Sequence, residues 1–130
     1  MRKKKFRVAI LDDDPAVRRA LERLLSANQF DVQTYETALD LIRNIESALP
    51  DCLILDLFMG DMSGSEIHDH LKTKKIFVPT IIITAHAVAD MHTKCSNSGI
   101  SAFLSKPLHG ATLIQAIHAA MDSHGIKPGA

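Results

Sequence analysis

Four apolar runs in this chain stop abruptly at residues that can bind or carry charge. Residues 6–11 end in Asp12-Asp13-Asp14, residues 52–55 in Asp56, residues 80–84 in the hydroxyl of Thr84, and residues 102–105 in Lys106-Pro107. Taken singly, each is ordinary, because Asp makes turns, Thr finishes strands and Lys is usually solvated. On a common rim, Asp12, Asp13 and Asp56 would repel one another unless a cation sat among them. Oxygen ligands in that number suit Mg²⁺ better than Zn²⁺. A hard dication beside a carboxylate, with an ammonium and a hydroxyl near, makes a phosphoryl site. The cations neutralise the oxygens of the transferring group and a carboxylate is the nucleophile. Asp56, alone after its strand, is the candidate nucleophile. Asp14 stands apart, since capping a helix accounts for it.

Only a fold that gathers strand ends on one edge can bring these residues together. Pro15 at a first helical position, with Asp14 before it, starts a helix. Its stripe runs through Val17, Ala20, Leu21, Leu24 and Leu25 to Asn28. Val32 and Tyr35 mark a second strand, and Thr37 opens a stripe of Ala38, Leu41, Ile42 and Ile45. After Pro50 come the third strand, a loop from Gly60 to Gly64, and a short helix through Ile67 and Leu71. The fourth strand, 80–84, is the most β-branched run. Residues 87–98 are weakly amphipathic and end at Gly99, a helix cap. The fifth strand, 102–105, precedes a last stripe of Leu113, Ile114, Ile117, Ala120 and Met121. Continuous apolar strands alternating with helices predict one doubly wound α/β domain, a five-stranded parallel sheet with five helices. Ligands of such sheets sit beyond the carboxyl ends of the strands, where the four groups lie.

Composition agrees. A chain of 130 residues, 46% hydrophobic, can fill one core; with 5% aromatics, that core is aliphatic. Fifteen basic and fifteen acidic residues leave no net charge, against a general nucleic-acid-binding surface. Arg2, Lys3, Lys4, Lys5 and Arg7 read as a solvated lead-in rather than a secretory signal, and no apolar run approaches a membrane span. Cys52 and Cys95 lack paired spacing and read as small buried hydrophobes in a reducing compartment. The seven histidines, His68 and His70 among them, have no zinc-ligand spacing and read as surface residues.

At these strand ends the chain resembles a known family. Leu11-Asp12-Asp13-Asp14, Leu55-Asp56-Leu57-Phe58-Met59, Ile83-Thr84-Ala85 and Ser105-Lys106-Pro107 together look like the receiver domain of two-component response regulators. Any one motif is weak, but four in order at matching strand ends are specific. The resemblance covers residues 6–122, leaving a basic lead-in at 1–5 and a tail or linker stub at 123–130. It implies a flavodoxin-like (βα)5 fold with strand order 2-1-3-4-5. It further implies that Asp56 accepts a phosphoryl group from a phosphohistidine on a sensor histidine kinase or histidine phosphotransfer protein. By the same resemblance Asp13, Asp56 and the backbone carbonyl of Phe58 ligate Mg²⁺, with Asp12 helping through water and Mn²⁺ able to substitute. Thr84 and Lys106 contact the phosphoryl oxygens, and the small Ala85 leaves room. Phe103 matches the aromatic switch position: Thr84, drawn inward, vacates space that Phe103 fills, which remodels the face of residues 87–122. Slow autodephosphorylation is expected with it, and the output is a domain beyond residue 130 or a separate downstream protein, with dimerisation on phosphorylation as a further option. The cysteine usage and the lack of a signal or span read as a cytoplasmic location. No membrane or direct nucleic-acid contact is implied.

Two features bear on variants of this chemistry. Gly60 stands where the family usually has Pro, which gives the loop after Asp56 more backbone freedom. Phe58 and His86, two residues beyond Asp56 and Thr84, flank the phosphoryl position, where a bulky Phe58 would hinder the hydrolytic water. A phosphatase with an aspartyl nucleophile needs a second carboxylate at position 58, which Phe58 does not supply. A docking module of the same fold that ignores phosphate is the alternative reading, opposed by the intact Asp13, Asp56, Thr84 and Lys106.

Overall fold

Strands that are apolar along their whole length need cover on both faces, and the chain supplies it. The computed structural model describes residues 5–57, 62–85 and 100–125. Five strands, β1 (Arg7–Leu11), β2 (Asp31–Tyr35), β3 (Cys52–Asp56), β4 (Thr80–Thr84) and β5 (Ala102–Ser105), form one parallel sheet. Their order is β2-β1-β3-β4-β5, as expected. The described helices are α1 (Pro15–Ala27), α2 (Ala38–Asn44), α3 (Gly64–Thr73) and α4 (Gly110–Ser123). The helix expected over residues 87–98, with Gly99 as its cap, lies outside the described residues.

The order reverses at β1: the chain steps outward to β2, then crosses back to β3. Right-handed crossovers therefore place α1 on one face and α2 and α3 on the other. Strand side chains alternate between these faces. Val8, Ile10, Cys52, Ile54, Ile81 and Ile83 meet Leu21 and Leu25 of α1 and Leu113 and Ile117 of α4. Ala9, Leu11, Leu53, Leu55 and Ile82 meet Leu41 of α2 and Ile67 and Leu71 of α3. Each fully buried Leu or Ile stabilises the fold by about 1.5–3 kcal/mol, far more than a single surface charge contact can remove.

Local signals set the helix ends. Asp14 accepts from the Ala16 N–H at 2.9 Å, ahead of Pro15, and Thr37 Oγ1 accepts from the Asp40 N–H at 3.1 Å. Ser63 and Glu66 form a reciprocal capping box that starts α3. The stripe expected to run through Ile45 leaves α-geometry at Asn44 and continues as a 3-10 turn, Ile45–Ser47, with Ile45 still buried. Both α1 and α3 close with a residue in the left-handed region, Gln29 at φ 70° and Lys75 at φ 60°. There the N–H groups of Phe30 and Ile76 return to the carbonyls of Leu25 and Leu71.

Gly64 is required by close approach. A β-carbon there would lie 2.8 Å from the Asp56 carbonyl oxygen and 2.9 Å from Ile82 Cδ1. The first turn of α3 thus seats directly on the end of β3. Gly64→Ala is expected to destabilise the fold by about 1–3 kcal/mol, the usual cost of overpacking, and to displace Asp56. Urea unfolding measures the first effect; the Asp56 backbone amide chemical shift reports the second.

Candidate functional site

Parallel register delivers the site residues to one edge. Leu11 pairs with Leu55, Asp56 with Ile83, and Thr84 with Ser105, so the residues that follow emerge side by side. The pairing continues past the strands: Leu57 N–H donates to the Ile83 carbonyl at 2.9 Å and Lys106 N–H to the Thr84 carbonyl at 2.7 Å. Gly64 N–H in turn donates to the Leu57 carbonyl at 2.9 Å, tying the start of α3 to the same edge.

Asp12, Asp13 and Asp56 converge there. One carboxylate oxygen from each lies within 4.8 Å of the others. Asp12 and Asp56 are buried, whereas Asp13 is exposed. Lys106 reaches across from the end of β5, placing Nζ 3.1 Å from Asp12 Oδ2 and 3.3 Å from Asp56 Oδ2. Burial of the ammonium works to lower its pKa. The hydrogen bonds and negative charge of Asp12 and Asp56 outweigh that burial and raise the pKa above the ordinary lysine value. Thr84 is wholly buried at the end of β4, with Ala85 exposed after it. Phe103 is buried on β5, in the same core cluster as Leu57, Ile82 and Ile67.

The structure thus brings Asp12, Asp13, Asp56 and Lys106 together and places Thr84 and Ala85 on the same edge. Phe58, Gly60 and His86 lie outside the described residues. Two contributors had no signal in the sequence. One is Gly64, identifiable only from its approach to Asp56. The other is Arg18, whose Nη1 donates to the Asp12 carbonyl at 2.6 Å. Among the described residues the surface reading of the histidines needs correction at His68: it is 7% exposed on the inner side of α3, its Nδ1 meets no hydrogen-bond partner among those residues, and burial lowers its pKa. It belongs to no group of metal-ligating side chains among the described residues. Cys52 is buried as expected, with its thiol pushed up to about 12 by that burial; Cys95 lies outside the described residues.

A divalent cation fits this donor set. Asp12 Oδ1 accepts from the Asp14 N–H at 2.9 Å, whereas among the described residues the buried Oδ2 meets only Lys106 Nζ, at 3.1 Å and outside good hydrogen-bond alignment. A buried acceptor left in that state is costly unless a cation completes it. Three carboxylates and no Cys or His in the cluster point to a hard, oxygen-preferring ion.

Comparison with known proteins supplies independent findings. The family model described as the response regulator receiver domain matches residues 8–118. The transcriptional regulatory protein FixJ of Rhizobium meliloti (strain 1021) is 32% identical over 117 residues, covering 90% of this chain and 57% of that protein. The response regulator protein TodT of Pseudomonas putida is 33% identical over 114 residues, covering 88% of this chain and 50% of that protein. The chain therefore spans about half the length of these curated relatives. The crystal structure of FixJ-N superposes with a TM-score of 0.84 at 32% identity, covering 92% of this chain and 95% of that one.

Two outcomes follow from the charge arrangement. Asp13→Asn relieves two like-charge contacts, with Asp12 and with Asp56, each worth about 1 kcal/mol at this spacing in a wet site. In chelator the variant should unfold at higher urea than wild type, and its gain in stability on adding Mg²⁺ should disappear. The second concerns pH. Because folding raises the Lys106 pKa, its stabilising contribution is complete below the unfolded value of 10.5 and is lost only as pH climbs through the higher folded value. Stability curves of wild type and Lys106→Met should run parallel from about pH 7 to about pH 9 and converge at more alkaline pH; converging curves near neutrality would refute the assignment.

Proposed function

The chain belongs to the response regulator receiver domain family, and from that premise we propose that it accepts a phosphoryl group on Asp56 and changes shape in response. The receiver domain is residues 6–122. The donor is a phosphohistidine on a sensor histidine kinase or histidine phosphotransfer protein: the N–P bond breaks, an O–P bond forms at Asp56, and the imidazole nitrogen leaves. The observation that carries this reading is Lys106 Nζ at 3.1 Å from Asp12 and 3.3 Å from Asp56, on an edge where three carboxylates lie within 4.8 Å.

Each residue has a role in that step. Asp56 is the nucleophile. Asp12, Asp13, Asp56 and the Phe58 carbonyl would hold Mg²⁺ (or Mn²⁺), which neutralises charge on the phosphoryl oxygens. Lys106 keeps its proton at physiological pH and pairs with the same group. Thr84 donates its hydroxyl to a phosphoryl oxygen, and Ala85 leaves space beside it. Phe58 and His86 control water access and so the lifetime of the aspartyl phosphate. The added charge of about −1.5 to −2 draws Thr84 inward and Phe103 follows, a two-state repacking that alters the 87–122 face.

The domain acts on itself rather than on a separate substrate. In line with the printed names of its relatives, the output we assign is transcriptional control, through a domain beyond residue 130 or a separate partner, with dimerisation on phosphorylation. The setting is the cytoplasm; no described helix is long and apolar enough to cross a membrane.

Intact mass after incubation with Mg²⁺ and acetyl phosphate tests the core claim. Wild type should gain one phosphoryl group and Asp56→Asn none; failure here and with a panel of phosphorylated kinases would leave a phosphate-independent docking module. Thr84→Ala should still be phosphorylated but lose the phosphorylation-induced change in the Phe103 ring resonances. Phe58→Asn should shorten the phosphorylated lifetime, followed by the decay of the added mass; an unchanged decay rate removes the shielding role.

A further inference from the structure

We infer that Arg18, anchored by Glu36, is a positioning residue that fixes the Asp12–Asp13 peptide so that both carboxylates face one cation; this rests on the metal-dependent reading above. Asp13 is exposed, and among the described residues its carboxylate takes no hydrogen bond or ion pair. Its direction therefore depends on the backbone on either side. That backbone is held at three points. The Asp12 carbonyl accepts from Arg18 Nη1 at 2.6 Å, Asp12 Oδ1 accepts from the Asp14 N–H at 2.9 Å, and the Asp14 carbonyl accepts from the Arg18 N–H at 3.0 Å. A peptide unit is planar, so fixing the Asp12 carbonyl oxygen fixes the direction in which the chain enters Asp13. Only the first of these anchors depends on the Arg18 side chain; the last is the backbone N–H of the same residue.

The guanidinium is itself constrained. Its side chain is only 13% exposed, and Nη2 lies 3.4 Å from Glu36 Oε1, just past the end of β2. The two Nη groups of a planar fork hold a carbonyl and a carboxylate in fixed relative directions, which the single rotating ammonium of a lysine does less well. The edge strand β2 thereby gains a link to the acidic cluster through Arg18, although β2 contributes no residue to that cluster.

Charge and geometry make opposite predictions for this residue. A nearby guanidinium repels a dication, so on electrostatics alone its removal tightens metal binding. If Arg18 acts by orientation, its removal weakens binding. Outer partners of metal ligands typically change affinity by about 10- to 100-fold.

The test measures Mn²⁺ affinity of the whole chain by water-proton relaxation, with Mg²⁺ affinity by calorimetry, beside the thermal midpoint of each variant. Arg18→Met should bind Mn²⁺ about tenfold or more weakly, Arg18→Lys should fall between it and wild type, and Glu36→Gln should lose about two- to threefold. Saturating Mg²⁺ should restore most of the phosphorylation rate of Arg18→Met, which separates an affinity defect from lost chemistry. A folded Arg18→Met whose affinity is unchanged or tighter overturns the inference, even if its thermal midpoint has dropped. If Arg18→Met does not fold, wild-type affinity in both Arg18→Lys and Glu36→Gln overturns it equally. Wild type binding Mn²⁺ no better than Asp13→Asn would instead sink the metal-dependent reading itself.

Discussion

The carboxylates of Asp12, Asp13 and Asp56 come within 4.8 Å of one another because β1 and β3 are neighbours, and their mutual repulsion opposes that placement. The sheet does not yield, since Ala9, Ile10, Leu53 and Ile54, wholly buried just behind the cluster, hold the strands in register. Lys106 relieves part of the repulsion from β5, two strands away from β3. The remaining negative charge is shared between the exposed Asp13 and the buried Asp12 and Asp56. This is a familiar trade, in which a site is kept ready for binding at the expense of local stability.

Holding charges in an unfavourable arrangement demands a stiff surround, and the described residues supply one at several points. The start of α3 is seated on the Asp56 carbonyl through Gly64, where no side chain fits. The start of α1 is fixed by its Asp14 cap and by the Arg18 contact with Asp12. The backbone pairings of Leu57 with Ile83 and of Lys106 with Thr84 prolong the sheet past its formal ends.

The same construction gives the proposed phosphorylation of Asp56 a physical route to the rest of the domain. Thr84 and Lys106 end adjacent strands, and Phe103, three residues before Lys106, lies in the core cluster that also holds Leu57 and Ile82. In the proposed phosphorylation, the new charge beside Asp56 would act on Thr84 and Lys106, and through their strands on the packing around Phe103. Close-packed interiors respond to such a push by switching between arrangements rather than by deforming smoothly.

Much of this was legible in the chain itself. Apolar runs of four to six residues stopping at Asp12, Asp56, Thr84 and Lys106, with Asp14-Pro15 and Thr37 starting helices, defined the strands, most of the helices and the edge where chemistry collects. The strand order needed the family resemblance, because periodicity says which residues are buried and not which strand lies beside which. Three features waited for the tertiary structure: the Arg18 contact with the Asp12 carbonyl, the approach of Gly64 to Asp56, and the burial of His68. All three depend on distances between segments that sequence spacing does not encode. A pattern along the chain determines what each element is and which side of it is apolar. Only the packing of one element on another decides which backbone oxygen an arginine reaches, where a β-carbon has no room, and which histidine loses its water.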